Sequence, residues 1–186
     1  MSKFIRYEKF LEELDLKLKS YFEFHSSNIK CKSGCSNCCE IGDYPFSELE
    51  MKYLMHGFLA LDENLKKVIR DKINLLKSKN KGEHFFYECP FLINKKCSVY
   101  KYRGITCRTF GLAYITDKKN SDGKSYVKVP ECVKLGLNYS DCYLDSEVEV
   151  LPIEENLDLP KVIESDLAKK YNFEFGELRS LINWFP

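Results

Sequence analysis

The sequence lacks an excess of positive charge. Its 29 Lys and Arg face 28 Asp and Glu, a formal net charge of +1, and a protein built to grip nucleic acid shows a basic surplus. Long hydrophobic runs are missing too; the longest are a handful of residues against the roughly 18 that a membrane-spanning helix needs. The first residues, Met1-Ser2-Lys3-Phe4-Ile5-Arg6-Tyr7-Glu8-Lys9, carry charges on every turn and leave no apolar stretch for a signal peptide. Histidine is scarce, with only His25, His56 and His84. There is no Gly-rich phosphate loop, no nucleophile elbow and no H-E-x-x-H helix. Internal repeats and low-complexity linkers are absent. These absences lead us to expect one domain over residues 1–186, located in the cytoplasm, with no nucleic-acid partner and no membrane partner.

Cysteine is abundant instead. Nine are present, Cys31, Cys35, Cys38, Cys39, Cys89, Cys97, Cys107, Cys132 and Cys142. In a reducing cytosol thiols stay reduced, and an odd number cannot all pair. Packing as small hydrophobes requires no spacing rule, yet four of the nine fall within nine consecutive residues. Metal or iron–sulfur ligation accounts for that clustering.

The periodicity around the cysteines is mainly helical. Phe4, Tyr7, Leu11, Leu14, Leu18 and Tyr21 form one stripe, which predicts an amphipathic helix over residues 1–24. Ser47-Glu48-Leu49-Glu50 reads as a capping box that starts a helix running to about Leu59. Asp62 caps a further helix with apolar positions Leu65, Val68, Ile69, Ile73 and Leu76, closed by the polar run Lys77–Gly82. Residues 85–111 mix aromatics, cysteines and turn residues with no clean period. Leu112–Thr116 and Ser125–Val129 read as two strands of a hairpin. Glu147–Val150 reads as a short strand, Pro160 precedes a helix through Val162, Ile163, Leu167 and Tyr171, and Leu178–Phe185 reads as a last short helix. The expected fold is mainly α with a small β-hairpin, an irregular cysteine-rich metal-binding core being packed against the helices.

Two cysteine clusters carry the chemistry. The first is C-x3-C-x2-C-C at 31–39, where Gly34, Ser36 and Asn37 tolerate the turns that bring several thiolates to one ion. Neighbouring side chains tend to diverge, which places Cys38 and Cys39 at different sites or on different sides of one cluster. The second is Cys89-Pro90-Phe91-Leu92, Cys97-Ser98-Val99-Tyr100 and Arg103-Gly104-Ile105-Thr106-Cys107-Arg108. Cys132 follows the hairpin and returns to the same region. Eight thiols would fill two four-coordinate sites and leave Cys142 as the spare. His84, five residues before Cys89, is a further candidate for the metal shell. Tyr87, Tyr100 and Tyr102 surround the second cluster, where they line a pocket or pack in the core.

Arginine points the same way. Two of the five arginines, Arg103 and Arg108, flank Cys107, and a guanidinium offsets thiolate charge with a fixed fork of donors. A structural zinc site contributes roughly 10–16 kcal/mol of apparent binding free energy, while a whole domain is stable by about 5–15 kcal/mol. One occupied site therefore decides whether residues 85–111 fold.

Taken together, C-x3-C-x2-C-C, Cys-Pro-Phe-Leu, Cys-Ser-Val-Tyr and Arg-x3-Cys-Arg resemble the YkgJ-type cysteine cluster family, whose description is zinc or iron chelation. The resemblance covers about residues 31–132. It implies Cys31, Cys35, Cys38, Cys39, Cys89, Cys97, Cys107 and Cys132 as metal ligands. Where that family usually has proline after the arginine, this chain has Gly104. A similar cysteine arrangement occurs in flagellin lysine methylases, and there the resemblance implies an iron–sulfur centre.

Three functions follow as expectations. The first is a protein holding zinc, iron or an iron–sulfur centre that serves a modification or redox reaction. The second is a structural zinc module that presents a surface to a protein partner. The third, a thiol switch at Cys38-Cys39, leaves the other motif cysteines unexplained. The spacing Cys31-x3-Cys35-x2-Cys38 also matches a radical S-adenosylmethionine loop, but Asn37 stands where those enzymes carry an aromatic, and the strands are too few for their barrel.

Overall fold

A computed structural model describes residues 3–32, 34–79, 85–119, 123, 125–143 and 166–186. The chain is mainly α-helical, with small antiparallel strand pairs. It divides into two compact units, one made of residues 1–32 with 109–173, the other of 33–108 with 174–186.

In the first unit, α1 spans Lys3–Phe24, as the stripe predicts. Tyr7, Leu11, Leu14 and Leu18 are buried, and Phe10 joins them. Phe4 and Tyr21, at the two ends of the stripe, are only partly buried. Phe10 is buried because aromatic residues from the far end of the unit reach it. Phe173 sets its edge against Tyr7 and Phe10 at 5.6 and 5.7 Å, and Tyr171 meets Phe10 at 6.1 Å. Such ring pairs contribute about 0.5–1.5 kcal/mol each beyond the area they bury.

The expected hairpin is present as strands β4 (Tyr114–Lys119) and β5 (Ser125–Lys128), with an irregular register between Ile115 and Lys119. Its buried face presents Ala113 and Val127 to Val133 and Tyr139. A short helix over Ser140–Tyr143, α6 here, follows. The expected strand at Glu147–Val150 lies outside the described residues, as do Pro160, Val162 and Ile163. Asp166–Tyr171, which holds Leu167 and Tyr171, is helical and is labelled α7.

In the second unit, α2 (Asn37–Glu40) leads into β1 (Pro45–Ser47), α3 (Glu48–Leu59) and α4 (Glu63–Lys79). Both predicted starts hold. Ser47 and Glu50 form the capping box of α3, and Asp62 Oδ1 accepts the Leu65 N–H at 2.9 Å at the head of α4. Met51, Leu54 and Phe58 of α3 meet Ile69 and Ile73 of α4 in one core with Phe46, Tyr87, Phe91 and Val99. Val68, expected in the apolar stripe, is 46% exposed; it sits one residue from Ile69 and so is turned about 100° from the buried face.

Residues 85–111 contain more order than their lack of period suggests. Strands β2 (Leu92–Ile93) and β3 (Lys96–Cys97) pair around Asn94 and Lys95, both at positive φ, as a two-residue hairpin loop demands. A 3-10 turn over Tyr100–Tyr102 and helix α5 (Ile105–Thr109) complete the stretch.

The end of the chain corrects the expectation of a helix over Leu178–Phe185. Leu178–Ser180 is strand β6, antiparallel to β1, and only Leu181–Trp184 turns, as a 3-10 helix. The reason is a set of unmet donors. The first N–H groups of α3 need acceptors, and the carbonyls of Glu177 and Phe175 accept those of Glu48 and Leu49 at 2.9 and 3.0 Å. Trp184 Nε1 then donates to the Phe46 carbonyl at 2.8 Å.

Among the described residues no helix is long and apolar enough to cross a membrane.

Gly57 of α3 is the point of closest approach to the Tyr102 turn, since a Cβ there would lie 2.2 Å from Tyr102 Cδ2. Gly57→Ala gains up to about 1 kcal/mol of helix propensity and incurs about 1–3 kcal/mol of overpacking. We expect a net loss read as a lower urea midpoint. A raised midpoint would mean that the Tyr102 ring moves aside freely.

Candidate metal centre

The first cysteine loop is built by a turn at Ser36. Its carbonyl accepts the N–H of Cys39 at 2.7 Å and of Glu40 at 3.1 Å, and its hydroxyl donates to Glu40 Oε1 at 2.6 Å. This places Cys38 and Cys39 on α2 with their sulfurs 3.9 Å apart. The expectation that these two side chains diverge is therefore wrong. Successive side chains on a helical turn are separated by about 100°, not the opposite faces of a strand, so side-chain rotation brings neighbouring sulfurs together. Cys35 stands exposed just before α2, and Asn37 Nδ2 donates to its sulfur at 3.7 Å.

A second segment is pinned beside the first. The Cys89 N–H donates to the Cys39 carbonyl at 2.7 Å, and Gly42 and Tyr87 exchange backbone bonds of 3.1 and 3.4 Å. Tyr44 closes over this junction. Its ring lies where a Cβ on Gly42 would fall, 2.4 Å away, and its hydroxyl donates to the Cys38 carbonyl.

The Cys89-Pro-Phe-Leu turn aims the N–H groups of Phe91 and Leu92 at the Cys89 sulfur. The hairpin does the same one step on: Cys97 lies opposite Leu92, and its sulfur receives the Val99 N–H. Donors aimed at sulfur favour the thiolate.

Burial opposes them. Cys107 is pushed well above the ordinary thiol range, first by burial and then by Cys89, Cys97 and Cys38. Burial pushes Cys89 up to about 12, against the N–H of Phe91 and with Cys97 adding to the rise. Cys97 is raised mainly by burial, while the Arg103 guanidinium works the other way. Tyr44 is likewise raised by burial, with Cys38, Cys39, Cys107 and Cys89 adding to it. Thus Cys38, Cys39, Cys89, Cys97 and Cys107, drawn from four stretches of chain, share one neighbourhood, and the last three pack against the apolar core of α3 and α4.

The arginines divide the work. Arg103 stacks on Tyr100, 3.9 Å above the ring, and its charge favours the Cys97 thiolate. Buried Arg108 bonds the backbone instead, donating from Nε to the Arg103 carbonyl at 3.3 Å and from its NH2 group to the Lys101 carbonyl at 3.0 Å. Glu50 is the residue that sequence reasoning read only in half. One oxygen closes the capping box, and the other accepts the Ile105 N–H at 2.7 Å, two residues before Cys107.

Cys31 and Cys132 belong to the first unit. Cys31 is exposed, and Cys132 is buried in the 3-10 turn Glu131–Leu135. Fully buried Asn138 organises the Cys31 segment. Its Oδ1 accepts the N–H groups of Lys30 and Cys31, both at 2.8 Å, and its Nδ2 donates to the Gly111 carbonyl at 2.8 Å. Gly111 has φ +100°, and a Cβ there would lie 2.9 Å from Asn138 Nδ2 and 3.9 Å from the Cys31 sulfur. Nothing in the sequence singles out Asn138. Cys142 is exposed and bonds Asn28 Oδ1 at 3.3 Å.

His84 lies outside the described residues. His25 is buried against the Tyr139 ring, and His56 on α3 faces that of Tyr102. As the side chains stand, no three His, Cys, Asp or Glu among the described residues form a group able to hold an ion. Four sulfurs at about 2.3 Å from one ion would require the thiols to close in. The donor set itself fits a thiophilic cation: soft sulfur ligands, backbone donors aimed at two of them, and buried thiols whose charge needs an opposite charge nearby.

Such a donor set defines a class, the multi-thiol metal-chelating domains. A family model, CxxCxxCC, described as "putative zinc- or iron-chelating domain", matches residues 30–138. The chain belongs to that family, and the match covers more than half of its 186 residues. No curated protein and no solved structure matches it.

Asn138→Ala should leave the amides of Lys30 and Cys31 without their acceptor, at about 1–3 kcal/mol for each group left unsatisfied. Hydrogen exchange is expected to accelerate at these two amides. Unchanged protection would show that the clamp does not hold the loop.

Proposed function

We propose that this chain binds zinc or iron through thiolates, with Cys31, Cys35, Cys38, Cys39, Cys89, Cys97, Cys107 and Cys132 as ligands. The observation that carries this reading is the shared neighbourhood of Cys38, Cys39, Cys89, Cys97 and Cys107. Family membership supports the metal; the ligand set is our own assignment. An iron or iron–sulfur centre would supply electron transfer or radical chemistry, whereas a closed zinc site would supply folding free energy. In either case the residues of this chain have the same tasks. Backbone N–H groups of Phe91, Leu92 and Val99 and the charges of Arg103 and Lys72 favour thiolate, and the core of α3 and α4 excludes water from one side. With no basic surplus we expect no nucleic-acid partner, and with short apolar runs we read the chain as a cytoplasmic protein that works without a membrane.

The first experiment is elemental analysis with a visible spectrum and acid-labile sulfide, on full-length protein purified without oxygen or added metal. Iron with sulfide and a brown colour would establish a cluster. Stoichiometric zinc in colourless protein would establish a zinc site. Protein that takes up neither metal overturns the proposal.

Cys89→Ser and Cys107→Ser should each lower metal content, and Cys142→Ser should leave it at the wild-type value. Removal of the metal by a chelator should also lower thermal stability, because binding free energy in such sites is folding free energy. Uptake should release protons, since thiols held up as Cys89 is carry their protons at neutral pH. Affinity then rises with pH, and a pH-independent affinity would contradict thiolate ligation.

A further inference from the structure

We propose that Glu50 is a positioning residue for the thiol centre, its one carboxylate capping α3 with one oxygen and holding the head of α5 with the other, so that it fixes where Cys107 stands. This rests on the reading of Cys107 as a ligand.

Glu50 is buried, at 6% exposure, and a buried carboxylate needs its lone pairs filled. Oε2 receives the Ser47 N–H at 2.8 Å and the Ser47 hydroxyl at 2.6 Å. A capping box asks for no more than this. Oε1 nevertheless reaches a different element and accepts the Ile105 N–H at 2.7 Å. Helix α5 is five residues long, far below the length at which a helix holds itself, so its place is set by what grips it from outside. At its head Glu50 supplies one such grip. At its far end Arg108 bonds back to the carbonyls of Arg103 and Lys101.

The residue before α5 confirms how close the approach is. A Cβ on Gly104 would lie 3.0 Å from Glu50 Oε1 and 2.7 Å from Phe46 Cε1. The bare backbone at Gly104 leaves room for the carboxylate to reach Ile105. Cys107 follows two residues on, and Cys89, Cys97 and Cys38 all act on it. Releasing α5 therefore moves the thiol around which the others are gathered.

The test is a titration of the full-length chain with cobalt(II) under reducing conditions. The thiolate-to-cobalt absorption band is followed in wild type, Glu50→Ala, Ser47→Ala and Cys107→Ser, with the fold of each checked by circular dichroism. Ser47→Ala weakens the cap of α3 but leaves Oε1 on Ile105. We expect Glu50→Ala to weaken cobalt binding about 10–100-fold, the range for partners that orient a ligand, and to alter the band. Ser47→Ala should keep wild-type affinity and band. Wild-type behaviour in Glu50→Ala, or an equal loss in Ser47→Ala, overturns the positioning role while the ligand reading stands. Wild-type behaviour in Cys107→Ser, or no cobalt uptake by the wild type, overturns the ligand reading itself and this inference with it. If Glu50→Ala fails to fold, Gly104→Ala replaces it in the titration. Its methyl presses on an intact Glu50 carboxylate and on the Phe46 ring, so the same loss with an unchanged circular dichroism spectrum and thermal midpoint supports the proposal, and wild-type binding or a loss that follows a lowered midpoint overturns it.

Discussion

Sulfur buried among sulfur is the constraint around which the second unit is organised. A thiol can be taken out of water cheaply, but its anion cannot, and a second thiolate nearby makes the cost larger. Cys107 and Cys89 show the effect, Cys107 driven far above its ordinary range by burial and by Cys89, and Cys89 by burial and by Cys97. The chain answers part of that cost with fixed dipoles, the N–H groups of Phe91, Leu92 and Val99, and part with the charges of Lys72 and Arg103. What these donors leave unbalanced is the share that a soft cation supplies when it binds.

The elements that bring the thiols together are too short to stand alone. Helix α2 has four residues, α5 has five, and β2 and β3 have two each. Each depends on particular bonds or turns: α2 on the Ser36 turn and Tyr44, the hairpin on two positive-φ residues, α5 on Glu50 and on the carbonyls that its own Arg108 reaches. Longer helices α3 and α4 serve as the rigid wall behind them. Even α3 depends on distant chain, because its first amides are met by carbonyls of Phe175 and Glu177.

The first unit solves a different problem with different means. Its aromatic residues do the packing, with Tyr7 and Phe10 of α1 taking the edge of Phe173. The loop that carries Cys31 is held by an amide side chain. Asn138 uses both ends, accepting from Lys30 and Cys31 and donating to Gly111, and it marks the last residue of the family match that begins at Lys30.

Local chemistry made much of this legible from sequence. The stripe of α1, the Ser47–Glu50 box, the Asp62 cap and the hairpin after Leu112 each rest on residues a few positions apart, where period and capping dictate the outcome. The cysteine spacing and its family resemblance likewise pointed to zinc or iron. Three things depended on the tertiary structure. Glu50 Oε1 reaching Ile105 and Asn138 reaching Cys31 span 55 and 107 positions, and a side chain that bonds across such a gap leaves no periodic trace. The convergence of Cys38 and Cys39 ran against their adjacency, because the turn at Ser36 sets their directions. Leu178–Ser180 became a strand because β1 and the open amides of α3 needed partners, a demand that belongs to distant residues and is written nowhere in its own sequence.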